Sequence, residues 1–243
     1  MEVEIAVSKT NKYATHESGD TVEVVERPNG GLSVVMADGQ SSGKGAKYVS
    51  TLVVRKVIAL LAEGVRDGAA ARAASDYLFT EKGGKVSAAL NILSVDMLTN
   101  TLVITRNNPT EVLLILQDEI RKLDEASTPI GLYRNTRPVI VELPLQAGLI
   151  AITYTDGLAY AGTRFGRTID IITEVRAMIE SEGEPSPEFI ADSLLAHAMK
   201  LENDRPIDDI SIVALRVNSH VRNNIRRMSV RLPLAPQVGN SLR

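Results

Sequence analysis

Short runs of apolar and β-branched residues divide the chain into predicted strands. Alternation with charged residues indicates a strand at 3–7. Short β-rich runs indicate strands at 21–26 and 32–36, which the turn sequence RPNGG joins as a hairpin. Apolar runs farther along the chain predict further strands, at 88–96, 101–105, 112–116, 139–143, 149–155 and 210–217. The run at 149–155 is almost wholly apolar, which is typical of a central strand.

Apolar residues recur at helical spacing between these strands. This spacing predicts helices at 46–63, 69–79, 168–182 and 187–202, the last opened by a Ser-Pro pair. The order along the chain is therefore strands, helices, strands, helices and a final strand. Segregated runs of this kind indicate an α+β fold, with one sheet packed on another and the helices outside.

The composition fits one domain followed by a short tail. The chain has 243 residues, 44% hydrophobic and 23% charged, which suits a single domain at 1–218. Residues 219–243 differ, because they contain five arginines and no acidic residue. Within this basic tail the alternating segment MSVRLPL could add a strand or contact an acidic partner, and the simpler alternative is a partly ordered terminus.

Charge and hydropathy exclude several classes of partner. The net charge of −3 argues against nucleic-acid binding by the body of the protein. No apolar run approaches the ~20 residues that span a bilayer, and the acidic N-terminus does not resemble a signal peptide. We therefore expect a cytoplasmic protein without a membrane partner.

The residue types available limit the chemistry. The chain has no cysteine, so thiol nucleophiles, thiolate zinc sites and disulfides are excluded. Its three histidines, at 16, 197 and 220, are scattered and lack the spacing of metal ligands. A metal centre would have to be built from oxygen ligands, which suit Mg²⁺ or Mn²⁺ better than Zn²⁺ or Cu²⁺.

Four aspartate motifs stand beside predicted strands. They are Gly19-Asp20, Asp38-Gly39, Asp156-Gly157 and Asp208-Asp209. A turn explains any one of them, since Asp-Gly is a common turn dipeptide. Asp38 is nevertheless followed by a predicted helix rather than a second strand, and several carboxylates at one sheet end would require cations to offset their repulsion. Spacing alone leaves open whether the four motifs meet.

The motifs SGD, MADGQSSGKGA, YTDGL and DDISIV resemble, in this order, those of the metal-dependent protein phosphatases, the PPM or protein phosphatase 2C family. The likeness is to the SpoIIE-type bacterial branch, and the segments RNNPTEVLLI and STPIGL between the motifs agree with it. It extends over residues 3–217. It implies a central antiparallel β-sandwich flanked by helices on both sides, with two Mn²⁺ or Mg²⁺ ions at one edge.

The resemblance also implies roles for the aspartates. Asp38 is expected to bridge both ions, and the Gly39 carbonyl to bind one of them. Asp156 and Asp208 are expected to bind the second ion, and Asp20 to bind a metal directly or through water. Asp209, where many relatives have asparagine, is expected to support the ligands rather than to bind metal. Catalysis by Asp38, Asp156 and Asp208 would then act through a water that the two ions acidify and that attacks phosphorus in line.

Two positions differ from eukaryotic members of the family. Gln40 stands where many of them have a histidine that is thought to protonate the leaving group. Their phosphate-binding arginine near the N-terminus has no clear equivalent, and Lys9 and Lys12 are the candidates. Both differences occur in the SpoIIE-type branch. Lys47 is interpreted as a surface residue of the first helix.

These observations predict a protein serine/threonine phosphatase that hydrolyses phosphoserine or phosphothreonine on a regulatory protein. A lone catalytic domain of this branch resembles phosphatases that act on STAS-domain proteins of the stressosome or of sigma-factor pathways. Two alternatives remain: a phosphatase-like binding module with weak turnover, and a hydrolase of small phosphoesters. The intact aspartates argue against the first alternative, and the second shares every site residue.

Overall fold

The computed structural model describes residues 1–117, 119–220 and 225–233. The strands are β1 (Glu2–Thr10), β2 (Asp20–Glu26), β3 (Leu32–Gly39), β4 (Ala88–Asp96), β5 (Thr101–Asn107), β6 (Val112–Leu116), β7 (Glu119–Leu123), β8 (Val139–Pro144), β9 (Ile150–Tyr154) and β10 (Ile210–Asn218). The helices are α1 (Gly43–Ala62), α2 (Asp67–Lys82), α3 (Asp156–Ala159), α4 (Ile171–Glu182) and α5 (Pro187–Leu201).

The strands form two antiparallel sheets of five strands each. One sheet has the order β1-β10-β9-β6-β7, and the other has the order β2-β3-β4-β5-β8. Most of the predicted elements are confirmed within a few residues. Strand β7 was not predicted, because its sequence EIRKL is mostly charged and lies exposed at a sheet edge. Helix α4 begins at Ile171 rather than at 168, because the Asp170 side chain caps it by accepting a hydrogen bond from the Thr173 amide at 3.2 Å.

Three apolar layers hold the elements together. The two sheets face each other across a core that includes Met36, Ile104 and Val213. Helices α1 and α2 cover the outer face of the β3-containing sheet, where Val53 and Leu78 are fully buried. Helices α4 and α5 cover the outer face of the other sheet. The antiparallel sandwich with helices on both sides, predicted from the sequence, is confirmed.

Residues beyond β10 form no regular secondary structure where the structure describes them. In the described segment 225–233 the side chains are exposed. Arg226 pairs with Glu26 at 2.8 Å, and Arg231 pairs with Glu188 at 3.4 Å. The strand considered for MSVRLPL is absent from residues 228–233, and residue 234, with 221–224 and 235–243, lies outside the described part of the chain.

Among the helices that the structure describes, none combines the length and the apolar character needed to cross a bilayer.

Candidate metal centre

The hairpin β2–β3 places Asp20 and Asp38 directly opposite each other. Asp20 is the first residue of β2 and Asp38 is the next-to-last residue of β3, so antiparallel pairing makes them Cα partners. Asp20 is buried, whereas Asp38 is half-buried. The sequence analysis expected every motif where a strand ends, but Asp20 is the first residue of β2 and Asp208 precedes β10. Antiparallel order brings such strand beginnings beside the ends of their neighbours.

The other sheet binds the Asp20 carboxylate. The Ser211 hydroxyl of β10 donates to Asp20 Oδ2 at 2.6 Å, and the Thr155 hydroxyl, just after β9, donates to the same oxygen at 3.1 Å. Neither residue was predicted to belong to the site, although each lies inside a motif, DDISIV or YTDGL. A hydroxyl residue within two positions of a motif aspartate was the signal that could have identified them.

Asp38 is surrounded by the other acidic groups of the site. Burial, and then the charges of Asp20, Asp156 and Asp208, together raise the pKa of Asp38 to about 9. Burial also raises the pKa of Asp20, to about 6, although the hydrogen bond from Ser211 opposes this. The four aspartate motifs therefore meet at one end of the sandwich, which their spacing in the sequence left open.

Asp156 and Asp208 form the more open side of this group. Asp156 is half-buried and is the first residue of α3. A single residue, Thr155, separates it from the end of β9. Asp208 precedes β10 and is exposed. Burial raises the pKa of Asp156, and the charge of Asp208 contributes to the increase. The centre is therefore accessible to solvent from the side of these two residues.

The glycines of two motifs are required by close backbone packing. A Cβ at Gly39 would lie 2.2 Å from the Ala46 carbonyl oxygen of α1. A Cβ at Gly157 would lie 2.1 Å from the Asp209 carbonyl oxygen. Both distances are far inside contact range, so only glycine allows these backbone segments to approach. The Asp-Gly pairs thus have a packing role here and are not simple hairpin turns.

Asp209 fixes the loop that leads to Asp20. Its Oδ1 accepts a hydrogen bond from the Lys12 amide at 2.9 Å, and its Oδ2 accepts one from the Gly19 amide at 2.8 Å. Both carboxylate oxygens are thereby occupied by backbone groups. Asp209 holds two parts of the site together, and this geometry agrees with the supporting role expected for it.

Two lysines contact the backbone of Asp20. The amines of Lys9 and Lys47 both donate to the Asp20 carbonyl oxygen, at 2.9 and 3.0 Å, and Lys47 also donates to the Thr21 hydroxyl at 3.0 Å. Desolvation of the Lys9 amine, and then the charge of Lys47, lower the pKa of Lys9. Lys47 is thus part of the site, contrary to its interpretation as a surface residue. Lys9 is bound to the main chain, and Lys12 contributes its amide to Asp209.

Gln40 connects two loops. Its Oε1 accepts hydrogen bonds from the Ser87 backbone amide at 2.8 Å and the Ser87 hydroxyl at 2.9 Å. The backbone amide of Gln40 donates to the Ser87 carbonyl at 2.9 Å. The side chain is therefore engaged with the loop before β4.

The donor groups of the site fit a hard divalent cation, because all of them are oxygens. Asp20 Oδ1 is buried and accepts no hydrogen bond from any residue that the structure describes, so it is available to a ligand from outside the chain. Among the described residues, no three acidic or histidine side chains are grouped closely enough to hold one metal ion between them as they stand. The groups that could hold cations are the carboxylates of Asp20, Asp38, Asp156 and Asp208 and the carbonyl of Gly39.

A cleft of about 450 Å³ opens beside Asp156. Its walls include Tyr154, Tyr160, Lys122 and Glu111. Tyr154 is 1% exposed, and burial followed by the charge of Glu111 raises the pKa of its hydroxyl. The cleft gives a molecule bound at the acidic centre room to extend along the surface.

The fold is that of PP2C-type phosphatases. The PP2C phosphatase domain of SpoIIE from Bacillus subtilis superposes with a TM-score of 0.76 and 18% identity, covering 90% of this chain and 64% of that one. RsbX, solved in complex with magnesium, superposes with a TM-score of 0.68 and 17% identity, covering 89% of this chain and 96% of that one.

Sequence comparison identifies the family. Residues 28–218 match the family model for stage II sporulation protein E (SpoIIE), and the chain belongs to that family. Stage II sporulation protein E of Bacillus subtilis (strain 168) is 19% identical over 201 residues, which are 83% of this chain and 24% of that protein. The chain thus spans about a quarter of the length of this relative.

Proposed function

We propose that this chain is a Mn²⁺- or Mg²⁺-dependent protein serine/threonine phosphatase. The observation that carries the proposal is the meeting of Asp20, Asp38, Asp156 and Asp208 at one open end of a PP2C-type sandwich. The charges of Asp20, Asp156 and Asp208 raise the pKa of Asp38, and such crowding of carboxylates is costly unless cations offset their charge. The proposal accounts for this cost.

The residues of the site divide into ligands and supports. Asp38 is central and would contact two ions, with the Gly39 carbonyl and Asp20 on one side and Asp156 and Asp208 on the other. When bound, two such ions would acidify a shared water and neutralise charge on the phosphoryl oxygens.

The supports act before any ion binds. Thr155 and Ser211 hold Asp20 Oδ2, which leaves Oδ1 free to be a ligand. Asp209 fixes the loop on which Asp20 lies. Pre-organised ligands of this kind bind metal without first having to be ordered.

We further propose that the substrate is a phosphorylated STAS-domain protein of a stressosome or sigma-factor pathway, located in the cytoplasm. The fold similarity to RsbX and the membership of the SpoIIE family support this choice. The cleft beside Asp156 is consistent with a protein substrate, because it continues from the acidic centre along the surface.

A turnover assay tests the proposal. The purified chain is incubated with an aryl phosphate and with a panel of phosphorylated STAS-domain proteins, with Mn²⁺, with Mg²⁺ and with a chelator. We expect release of phosphate from at least one phosphoprotein with either ion and none with chelator. Turnover of the aryl phosphate alone would indicate a small-molecule phosphoesterase. Phosphoprotein binding without any turnover would indicate a binding module.

A further inference from the structure

Three exposed apolar side chains and an arginine lie on loops that lead to the acidic centre. We call this group the rim; it consists of Tyr13, Phe165, Arg205 and Ile207. Tyr13 is 54% exposed, Phe165 43% and Ile207 41%, and Arg205 is also exposed. Large apolar side chains that cluster at the surface mark interaction sites more often than isolated ones do.

The rim lies on two loops that are joined to each other and lead to metal-ligand candidates. The Tyr13 amide donates to the Pro206 carbonyl at 2.8 Å, and the Lys12 amide donates to Asp209 Oδ1 at 2.9 Å. The Arg205 guanidinium lies 5.3 Å from the centroid of the Tyr13 ring. One loop continues to Asp20 and the other to Asp208, so the contact between Tyr13 and Arg205 is part of the wall of the centre.

A buried glutamate attaches a third loop to the rim. Glu202 is 1% exposed, and its Oε1 accepts a hydrogen bond from the Gly162 amide at 2.6 Å. Its Oε2 pairs with Arg164 at 3.2 Å, and Arg164 also donates to the Arg205 carbonyl at 2.6 Å. Phe165 lies next to this clamp, with the Arg164 guanidinium 4.5 Å from its ring. The backbone of Arg205 is therefore held rigidly.

The two arginines have different roles. The guanidinium of Arg164 is occupied by Glu202 and by backbone carbonyls. That of Arg205 pairs with no carboxylate in the part of the chain that the structure describes, and it lies over the Tyr13 ring. A planar guanidinium that is stacked on a ring keeps its hydrogen-bond donors available for a carboxylate or a phosphate.

The position of Arg205 matches a substrate held at the aspartates. It precedes Asp208 by three residues, so the two Cα atoms are at most ~11 Å apart. A phosphorylated side chain at the centre would place the residues that flank it within reach of the rim. The positive charge of Arg205 lies beside the negative charges of the aspartates, so the electrostatic potential changes sign across the opening of the acidic centre.

From these contacts we propose that the rim binds the protein substrate next to its phosphorylated residue. Arg205 pairs with a carboxylate of an acidic flanking segment, and Tyr13, Phe165 and Ile207 cover apolar side chains of that segment. The inference rests on the proposed phosphatase function and adds a preference for acidic sequence around the phosphorylated residue.

Phosphopeptides with different flanking charges test the proposal. Three synthetic peptides carry the same phosphothreonine between acidic, neutral or basic residues. We measure kcat and KM for each peptide at low and high salt, with the wild-type chain and with the variants Arg205→Glu, Arg205→Lys and Tyr13→Ala. The control is Arg134→Glu, because Arg134 is also exposed and stacked, 4.8 Å from the Phe79 ring, on a loop that carries no ligand candidate.

We expect the wild-type chain and the control to prefer the acidic peptide. Arg205→Glu should lower kcat/KM for this peptide about 3- to 10-fold, mainly through KM, and should raise it for the basic peptide. High salt should reduce both effects. Arg205→Lys should keep part of the preference. An active wild-type chain without charge preference, or an equal loss on all three peptides in Arg205→Glu, would overturn the inference and leave the phosphatase function standing. No turnover of any substrate by the wild-type chain would instead contradict the phosphatase function.

Discussion

Asp20 and Asp38 are Cα partners across the β2–β3 hairpin, so two acidic side chains stand directly opposite each other at a sheet end. Like charges in this position destabilise a strand pair. The arrangement is more costly here because Asp20 is 1% exposed and because Asp156 and Asp208 add their charges around Asp38. This cost in the metal-free chain leads to the first two predictions.

The stability of the metal-free protein should fall as pH rises from about 4 to 9. Burial and its acidic neighbours raise the pKa of Asp38 to about 9, while an aspartate in an unfolded chain ionises near ~3.9. Between these values the folded state keeps a proton that the unfolded state has lost, so the free energy of unfolding decreases as pH increases. Asp20, with a pKa of about 6, contributes with the same sign over the lower part of this range. Thermal denaturation in chelator at a series of pH values measures the slope, and saturating Mg²⁺ should reduce it. A melting temperature that rises with pH in chelator would contradict the prediction.

Asp38→Asn should abolish turnover and stabilise the metal-free chain. Mutating a residue that only hydrogen-bonds to a metal ligand typically lowers activity by up to ~100-fold. Losing the ligand itself should lower kcat/KM by more than this. The amide cannot ionise, so folding no longer has to bury or protonate a carboxylate at this position. Each kcal/mol gained in this way corresponds to about 2–4 °C in Tm for a chain of this size. Phosphate release and melting in chelator measure the two effects. The control is Glu63→Gln, which removes an exposed charge at the end of α1. Retained turnover in Asp38→Asn would contradict the proposed role of this residue.

The sequence predicted the elements better than their arrangement. The β-rich runs and the turn sequence RPNGG identified β2 and β3. The Ser-Pro pair marked the start of α5, where the Ser186 hydroxyl accepts a hydrogen bond from the Phe189 amide at 3.1 Å. Strand β7 escaped detection because an exposed edge strand needs few apolar residues. Helix α3, four residues long, is too short to show a helical period.

The meeting of the aspartates could not be predicted from local pattern. It depends on how one sheet packs on the other, through contacts such as those in the core around Met36 and Val213, which are far apart in sequence. The role of Lys47 was missed for a related reason. Helical spacing places it on a polar face, and only the tertiary structure brings that face against the Asp20 carbonyl.

Gly157→Ala should destabilise the protein and weaken metal binding. The new Cβ would lie 2.1 Å from the Asp209 carbonyl oxygen, and that backbone cannot move without disturbing Asp208. Overpacking of this kind costs about 1–3 kcal/mol. Denaturant unfolding and calorimetric titration with Mn²⁺ measure the two effects. Gly45→Ala is the matched control, because its Cβ would meet only the flexible Ser41 hydroxyl at 3.3 Å and should leave both quantities nearly unchanged. If the two variants have the same stability and the same affinity for Mn²⁺, the contact between residue 157 and the Asp209 carbonyl is easily relieved and the prediction is wrong.

Gln40→His should change turnover little. The side chain is held by two hydrogen bonds from Ser87, so a histidine there would lose them without gaining a defined position toward the substrate. We therefore expect kcat within a few-fold of the wild-type value, and no new pH-dependent limb near neutrality. The pH profile of kcat for an aryl phosphate measures this. A gain on the order of 10²-fold, which is typical of general acid catalysis, would show that protonation of the leaving group limits the reaction.

Deleting residues 219–243 should leave catalysis intact and lower stability slightly. Arg226 pairs with Glu26, the last residue of β2, whereas Asp20 is the first residue of this strand. A strand of this length places its two ends ~20 Å apart, so the ion pair lies far from the acidic centre. The pairs Arg226–Glu26 and Arg231–Glu188 are exposed, and such pairs contribute about 0–1 kcal/mol each.

The melting temperature measures the effect of the deletion on stability. Turnover of both an aryl phosphate and a phosphoprotein, at low and high salt, measures its effect on catalysis. The full-length double variant Glu26→Gln, Glu188→Gln should reproduce part of the loss of stability, since it removes these two ion pairs and keeps the tail. A loss of turnover confined to the phosphoprotein and relieved by salt would show instead that the arginines of the tail bind an acidic partner, since salt screens exposed charges.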